Sequence, residues 1–281
     1  MAQPAPGGQL EQLVPLAQVS VGTVMTSDHP VGTVGIPVRD LMNTETVLSV
    51  LGTDWSGLPV DFLVIKGNIL TLQRNAIIQR MRGDWLLFID DDMVWERDAI
   101  KRLVQSLADL REAGHQPDVL GALCHRRAEP YQPTLYVRVG DDGPYNFLED
   151  WEGRYIEVDA TGMAFCLITK QCLERIAGSP MPSYEERIAM DRHPDFFKWQ
   201  AAIGEDLRFC QDVRRTGGHI MVDTDIRIDH ISESRRGHRD FLQQVATREP
   251  EVTKARRDIN RAMGLPTMSA HEAKRRLRDH A

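Results

Sequence analysis

The chain has 281 residues, 42% of them hydrophobic and 27% charged, which suits one globular domain of generous size or one domain with an appendage. Its formal net charge of -7 argues against a general polyanion binder, although Arg235, Arg236, His238 and Arg239, and a tail with Lys274, Arg275, Arg276 and Arg278, are locally basic. No apolar run approaches the ~20 residues of a membrane span, and MAQPAPGGQL has neither part of a signal peptide, so a cytoplasmic protein without stable membrane insertion is expected.

Residues 1–17 are rich in Pro, Gly and Gln and are expected to be poorly ordered at the start. VSVGTVMT (19–26) reads as an accessory strand and VGTVGIPV (31–38) as a buried one. TETVLSVLGTDW reads as a helix capped by Asn43 or Thr44. VDFLVIKG (60–67) is a second buried strand, LTLQRNAIIQRMRG (70–83) a helix, and DWLLFID (84–90) a third strand. This alternation predicts right-handed crossovers and a mostly parallel sheet covered on both faces. Ligands in such sheets gather at the carboxyl ends of the strands, where Pro37, Lys66-Gly67 and Asp90–Asp92 fall.

An amphipathic helix (96–114) follows, then strands at 119–127, 134–140, 154–160 and 162–169 and a helix in KQCLERIAG. EDLRFCQDVRRTGG (205–218) reads as a helix, HIMVDTDIRIDHIS (219–232) as a strand, and the tail as a loop with two short helices. Cys124, Cys166, Cys172 and Cys210 have no metal-ligand spacing and mostly apolar neighbours, the pattern of buried thiols in a reducing compartment.

Asp90-Asp91-Asp92 is the chemical focus. Adjacent carboxylates repel, so the triplet is either a solvated turn or a divalent-cation site of hard oxygen ligands. Its place after a buried strand, and the apolar Met93-Val94-Trp95 that follows, favour the cation.

LLFIDDDM resembles the D-x-D motif of GT-A glycosyltransferases of family 2 and its relatives. Four more segments agree in the family's order: LQRNAIIQRMRGDW, VDATGMAFCLITKQCLERI, GEDLRFCQDVRRTGGHIMVDTD and IRIDHIS. The resemblance covers roughly residues 31–232 and implies a GT-A α/β fold, with 1–30 an N-terminal extension and 233–281 a C-terminal loop and helical tail. It implies a metal-dependent glycosyltransferase using a nucleoside-diphosphate sugar, with Mn²⁺ or Mg²⁺ as cofactor and UDP as the default nucleotide.

The roles follow from the resemblance. Asp92 ligates the metal, with His230 as second ligand; Asp90 and Asp91 lie toward the ribose and the metal's water shell. For His230 the alternative is an ordinary strand histidine. Arg74, beside Asn75, is either a phosphate- or base-binding group or a surface arginine of an amphipathic helix. Pro37, Arg39 and Asp40 would line the nucleobase side, while Lys66 stands where the family carries an acidic base-contacting residue. Glu205-Asp206 reads as helix N-terminal charge or as a general base with Asp206 in the lead and Glu205 in support. Gly162 is expected at a bend close to the sugar, and Asp159 either bonds donor-sugar hydroxyls or caps the turn. DFFKW (195–199) is a sugar-stacking patch or core, and HISESRRGHR (230–239) a basic loop that closes over the pyrophosphate.

The acceptor is a hydroxyl of a glycan, a protein or a modified nucleobase, and an oligomer is compatible with the sequence. The rival readings are a non-catalytic sugar-nucleotide or glycan-binding module and a nucleic-acid-directed sugar transferase. A nucleotidyltransferase is disfavoured because IPVRDLMNTET replaces a Gly-rich basic stretch.

Overall fold

The structure, a computed structural model, describes residues 20–25, 27–140, 143–190, 193–200, 203–231, 235–247 and 251–279, so the expectation for residues 1–17 lies outside the described residues. The chain opens with β1 (Ser20–Met25), β2 (Gly32–Val38), α1 (Thr44–Gly52), β3 (Val60–Lys66), α2 (Leu70–Arg80) and β4 (Trp85–Ile89). It continues with β5 (Met93–Val94), α3 (Ala99–Glu112), β6 (Val119–Leu123), β7 (Leu135–Arg138), β8 (Tyr145–Phe147), β9 (Tyr155–Glu157), β10 (Ala160–Thr161) and β11 (Phe165–Thr169). The last part holds α4 (Lys170–Ala177), α5 (Tyr184–Ala189), α6 (Glu205–Arg215), β12 (Ile220–Arg227), β13 (Asp229–Ile231), β14 (Arg235–Arg236), α7 (His238–Thr247), α8 (Glu251–Ala262) and α9 (Ala270–Asp279).

The fold is α/β, built on an eight-stranded sheet of order β1-β3-β2-β4-β11-β6-β12-β9. Strands β2, β3, β4, β6 and β12 run one way; β1, β11 and β9 are antiparallel to their neighbours. Alternate residues feed two cores: Trp85, Leu87 and Ile89 of β4 join one, Leu86 and Phe88 the other. Both faces are therefore covered, which explains why these strands read as continuous apolar runs. Two three-stranded sheets, β10-β7-β8 and β14-β13-β5, flank the main one.

Local chemistry sets the element ends. The Asn43 side chain accepts from Glu45 N–H and caps α1. Helix α2 stops at Arg80, short of the predicted Gly83, because Gly83 at φ +81 turns the chain back onto β2. Gly35 of β2 seats α2: a Cβ there would stand 2.4 Å from Ile77 Cγ2. That close approach brings Arg74 beneath the strand ends.

Three features differ from the sequence expectation. The predicted strand at 219–232 divides into β12 and β13, since Ile228 N–H turns to Leu123 C=O and frees Asp229–Ile231 to pair with β5. Strands β5, β8 and β14 and helix α5 are additional. The tail carries three helices instead of two, and α7 and α9 pack through Phe241, Leu242, Val245, Met268 and Ala273. This tail is anchored to the body by a buried pair, Arg257 Nε to Glu149 Oε2 at 2.6 Å, and by Arg276 to Asp150 at 2.6 Å. No helix among the described residues is long and apolar enough to cross a membrane, and all four cysteines are free and buried.

Candidate active site

The carboxyl ends of β2 and β4, with the loop after β3, surround a cavity of about 350 Å³ lined by Pro37, Arg39, Asn68, Asp90–Asp92, Arg127 and His230. Asp90, Asp91 and Asp92 follow β4 directly, and each backbone is fixed. Asp90 N–H donates to Ala164 C=O, Asp91 C=O accepts from Asn43 N–H, and Asp92 C=O accepts from Ile231 N–H. The last bond joins the triplet to β13 and so to His230.

Asp92 and His230, 138 residues apart in the chain, face each other with Oδ2 and Nε2 at 3.2 Å. The other imidazole nitrogen, Nδ1, lies 3.0 Å from His125 C=O and donates to it. A backbone acceptor on Nδ1 fixes the ring with Nε2 turned toward Asp92. Asp92 Oδ2 is also held by Arg127 Nη1 at 3.0 Å. Among the described residues no group of three or more His, Cys, Asp or Glu side chains could hold a metal ion. What the geometry shows is a charge-assisted Asp92–His230 pair with Arg127 beside it at the rim of the cavity.

Burial acts against the charged form of each partner. Even so, His230 and Arg127 hold the Asp92 carboxyl below its ordinary value, and Asp92 lifts His230 above its own. The signs follow from linkage. The His230 share of stability is complete below about pH 6.5 and lost as pH rises through its raised folded value; the Asp92 share is lost as pH falls through its lowered one. In metal-free protein, raising the pH from about 6 to about 9 is expected to cost stability that a His230→Asn variant does not lose. Urea unfolding at the two pH values checks this, and equal slopes for both proteins would refute it.

A second polar centre adjoins the first. Arg74, 1% exposed, donates through Nη2 to Asp90 at 3.1 Å and through Nη1 to Glu205 at 3.2 Å and to Asp206. Burial opposes its charge, but Asp206, Asp90 and Glu205 together keep the guanidinium firmly protonated. Its guanidinium carbon lies over the Phe197 ring, 5.3 Å from the centroid. Burial, and then the charge of Asp206, push Glu205 above its ordinary value. Met163 N–H reaches Asp206 Oδ2 at 3.3 Å. The surface-helix reading of Arg74 thus fails: it joins the aspartate triplet to the first turn of α6. Its neighbour Asn75 pins the 195–197 segment, accepting from Phe196 and Phe197 N–H and donating to Phe197 C=O.

Several expected residues lie elsewhere. Lys66 is exposed and is not part of the cavity wall; Asn68, which sequence reasoning missed, takes that side. Asp159 sits in a different cavity beside Arg138 and Arg214, because β10 pairs with β7 and carries it there. A Cβ on Gly162 would meet Thr134 at 3.3 Å, so its close approach is to a neighbouring segment of its own chain. Phe196 and Phe197 are core, whereas Trp199 is 78% exposed. His238, read as part of a basic surface, is buried with its ring against His125 and Phe241. The stretch 232–234 of the basic loop lies outside the described residues. Arg127 and His125 were also missed: nothing local in CHRR marks them, and they reach the site only because β6 lies beside β11 and β12.

Residues 59–155, from the start of β3 to the start of β9, match the family model described as glycosyl transferase family 2. No curated protein matches. A solved structure, the crystal structure of A197 from STIV, is similar at 18% identity and a TM-score of 0.44, with 71% of this chain and 85% of that chain covered.

Proposed function

We infer, from a chain that carries a glycosyl transferase family 2 segment over residues 59–155, that it moves a sugar from a nucleoside-diphosphate donor to a hydroxyl acceptor with a divalent cation. The observation that carries this reading is the meeting of Asp92 and His230 at 3.2 Å, beside a buried arginine that ties the same cavity to Asp206. Residues 31–232 would form the catalytic domain and 233–281 a helical extension.

Asp92 and His230 would hold Mn²⁺ or Mg²⁺, which supplies a Lewis acid for the charge growing on the departing diphosphate. Arg127, 65% exposed and already at Asp92, is placed to follow that charge onto a phosphate oxygen. Pro37 and Asn68 face the nucleobase side, and the Asn68 amide can both donate to and accept from a base edge. Asp206 takes the acceptor hydroxyl proton, with its carboxylate oriented by Arg74 and Met163 N–H. Glu205 shares Arg74 and supports that orientation. Such a base goes with inversion at the sugar carbon.

The test is nucleotide release from a panel of nucleotide sugars. Slow release from one donor class with Mn²⁺, abolished by a chelator, is expected. Metal-dependent binding without turnover on any donor or acceptor would support the binding-module reading instead.

A further inference from the structure

The cavity that received Asp159 has a wall of its own kind. It measures about 390 Å³ and is lined by Arg138, Tyr145, Asp159, Gln211, Arg214 and Arg215, with Gly140 at its edge. We propose that it is an acceptor subsite for a sugar residue bearing a carboxylate or phosphate group. The word acceptor rests on the glycosyl-transfer reading; the affinity for an anion does not.

Position is the first argument. Helix α6 carries Asp206 in its first turn, Gln211 in its middle and Arg214 and Arg215 at its end, about 12 Å from Asp206 to Arg214 at about 1.5 Å per residue. A second element runs between the same points. Asp159 immediately precedes β10, and Met163, just after it, donates its N–H to Asp206. Both elements therefore link the neighbourhood of Asp206 to this cavity, which is where we place the next unit of an oligosaccharide acceptor.

Charge is the second argument. The described wall holds three guanidinium groups and one carboxylate. Asp159 Oδ2 is already taken by Arg138 N–H at 2.7 Å, and its Oδ1 stands 3.7 Å from Arg214 Nε. Arg138 donates Nε to Gly143 C=O and lies over the Tyr145 ring at 4.9 Å. Arg214 Nη1 reaches Glu157 at 2.8 Å, and Arg215 Nη1 is 3.8 Å from Asp212. Each guanidinium carries more N–H donors than these partners use, so the described wall offers donors in excess of the acceptors of Asp159, Gln211 and Tyr145. A planar or tetrahedral oxyanion supplies further acceptors, through charge-assisted and bidentate bonds that a neutral hydroxyl cannot match.

The experiment measures binding of three disaccharides that share one linkage: one with a uronate, one with a phosphate monoester and one neutral. At least one acidic disaccharide is expected to bind roughly tenfold more tightly than the neutral one. Arg138→Gln and Arg214→Gln should each remove most of that preference while the thermal midpoint stays near wild type. Arg261→Gln, an equal charge change on α8, should leave it intact. Whichever acid is preferred identifies the group. Equal binding of acidic and neutral sugars overturns the subsite, as does an equal loss in Arg261→Gln or displacement by a nucleoside diphosphate with Mn²⁺. The same preparations are titrated with that nucleotide. Nucleotide binding without acid preference rejects the subsite alone, and acid preference without nucleotide binding rejects the transfer reading alone.

Discussion

Asp206→Asn is expected to lower turnover by roughly 10²- to 10⁴-fold, the range of a positioned general base, while nucleotide binding stays close to wild type. The substitution keeps the shape of the side chain and, through its amide oxygen, the bond accepted from Arg74; it gives up the bond from Met163 N–H and removes the group that can accept a proton. Arg74 retains Asp90 and Glu205 as counter-charges, so the fold should hold. Glu205→Gln serves as the comparison, with a smaller loss expected because Glu205 supports without taking the proton. Steady-state rates with a competent donor and acceptor check both. A turnover within a few-fold of wild type in Asp206→Asn would reduce the Glu205-Asp206 pair to structural counter-ions of Arg74.

Arg74→Met carries the largest expected loss of stability. Methionine roughly preserves the volume against Phe88 and Phe197, yet leaves Asp90, Glu205 and Asp206 converging on one pocket without a cation. Removing one partner from a buried ionic cluster costs about 3–5 kcal/mol, because the remaining charges stay desolvated. Burial already raises Asp90 and Glu205 in the presence of Arg74. A carboxylate raised in the folded state weakens the fold when ionised, so the sign is opposite to that of a salt-bridged acid: lowering the pH relieves the penalty. Urea unfolding should therefore show a deficit near neutrality that narrows as the pH falls toward about 5. A deficit under about 1 kcal/mol at neutral pH would mean that the carboxylates are adequately solvated without Arg74.

Much of the architecture was legible because burial on both sheet faces writes itself as unbroken apolar strands, and FLVI and WLLFI are such strands. The aspartate triplet was legible for a related reason. Three carboxylates after a core strand, followed by Met-Val-Trp, favour a site over a merely solvated turn; the triplet is half-buried, and Met93-Val94 is a buried strand that pairs with the histidine strand. Other parts were not legible, because their placement is a product of strand order. Arg127 and the His125 carbonyl reach Asp92 and His230 from the end of β6, a strand far from β4 in sequence but separated from it only by β11 in the sheet. Asp159 went to another cavity because a two-residue strand, too short for any periodicity signal, pairs with β7. His238 carries a polar label in sequence yet packs as an aromatic ring beside His125 and Phe241, and only the docked tail reveals this. Asn68 had no signal beyond standing near a strand end.

The central claim is that Asp92 and His230 together hold a divalent cation against a nucleoside diphosphate. Calorimetric titration of nucleoside diphosphate into wild type, Asp92→Asn and His230→Ala, with and without Mn²⁺, tests it most directly. Mn²⁺ should tighten diphosphate binding to wild type, and each variant should lose more than about tenfold of that gain while unfolding cooperatively. Diphosphate affinity that is indifferent to Mn²⁺ in wild type, or a metal effect that survives in both variants, would contradict the account.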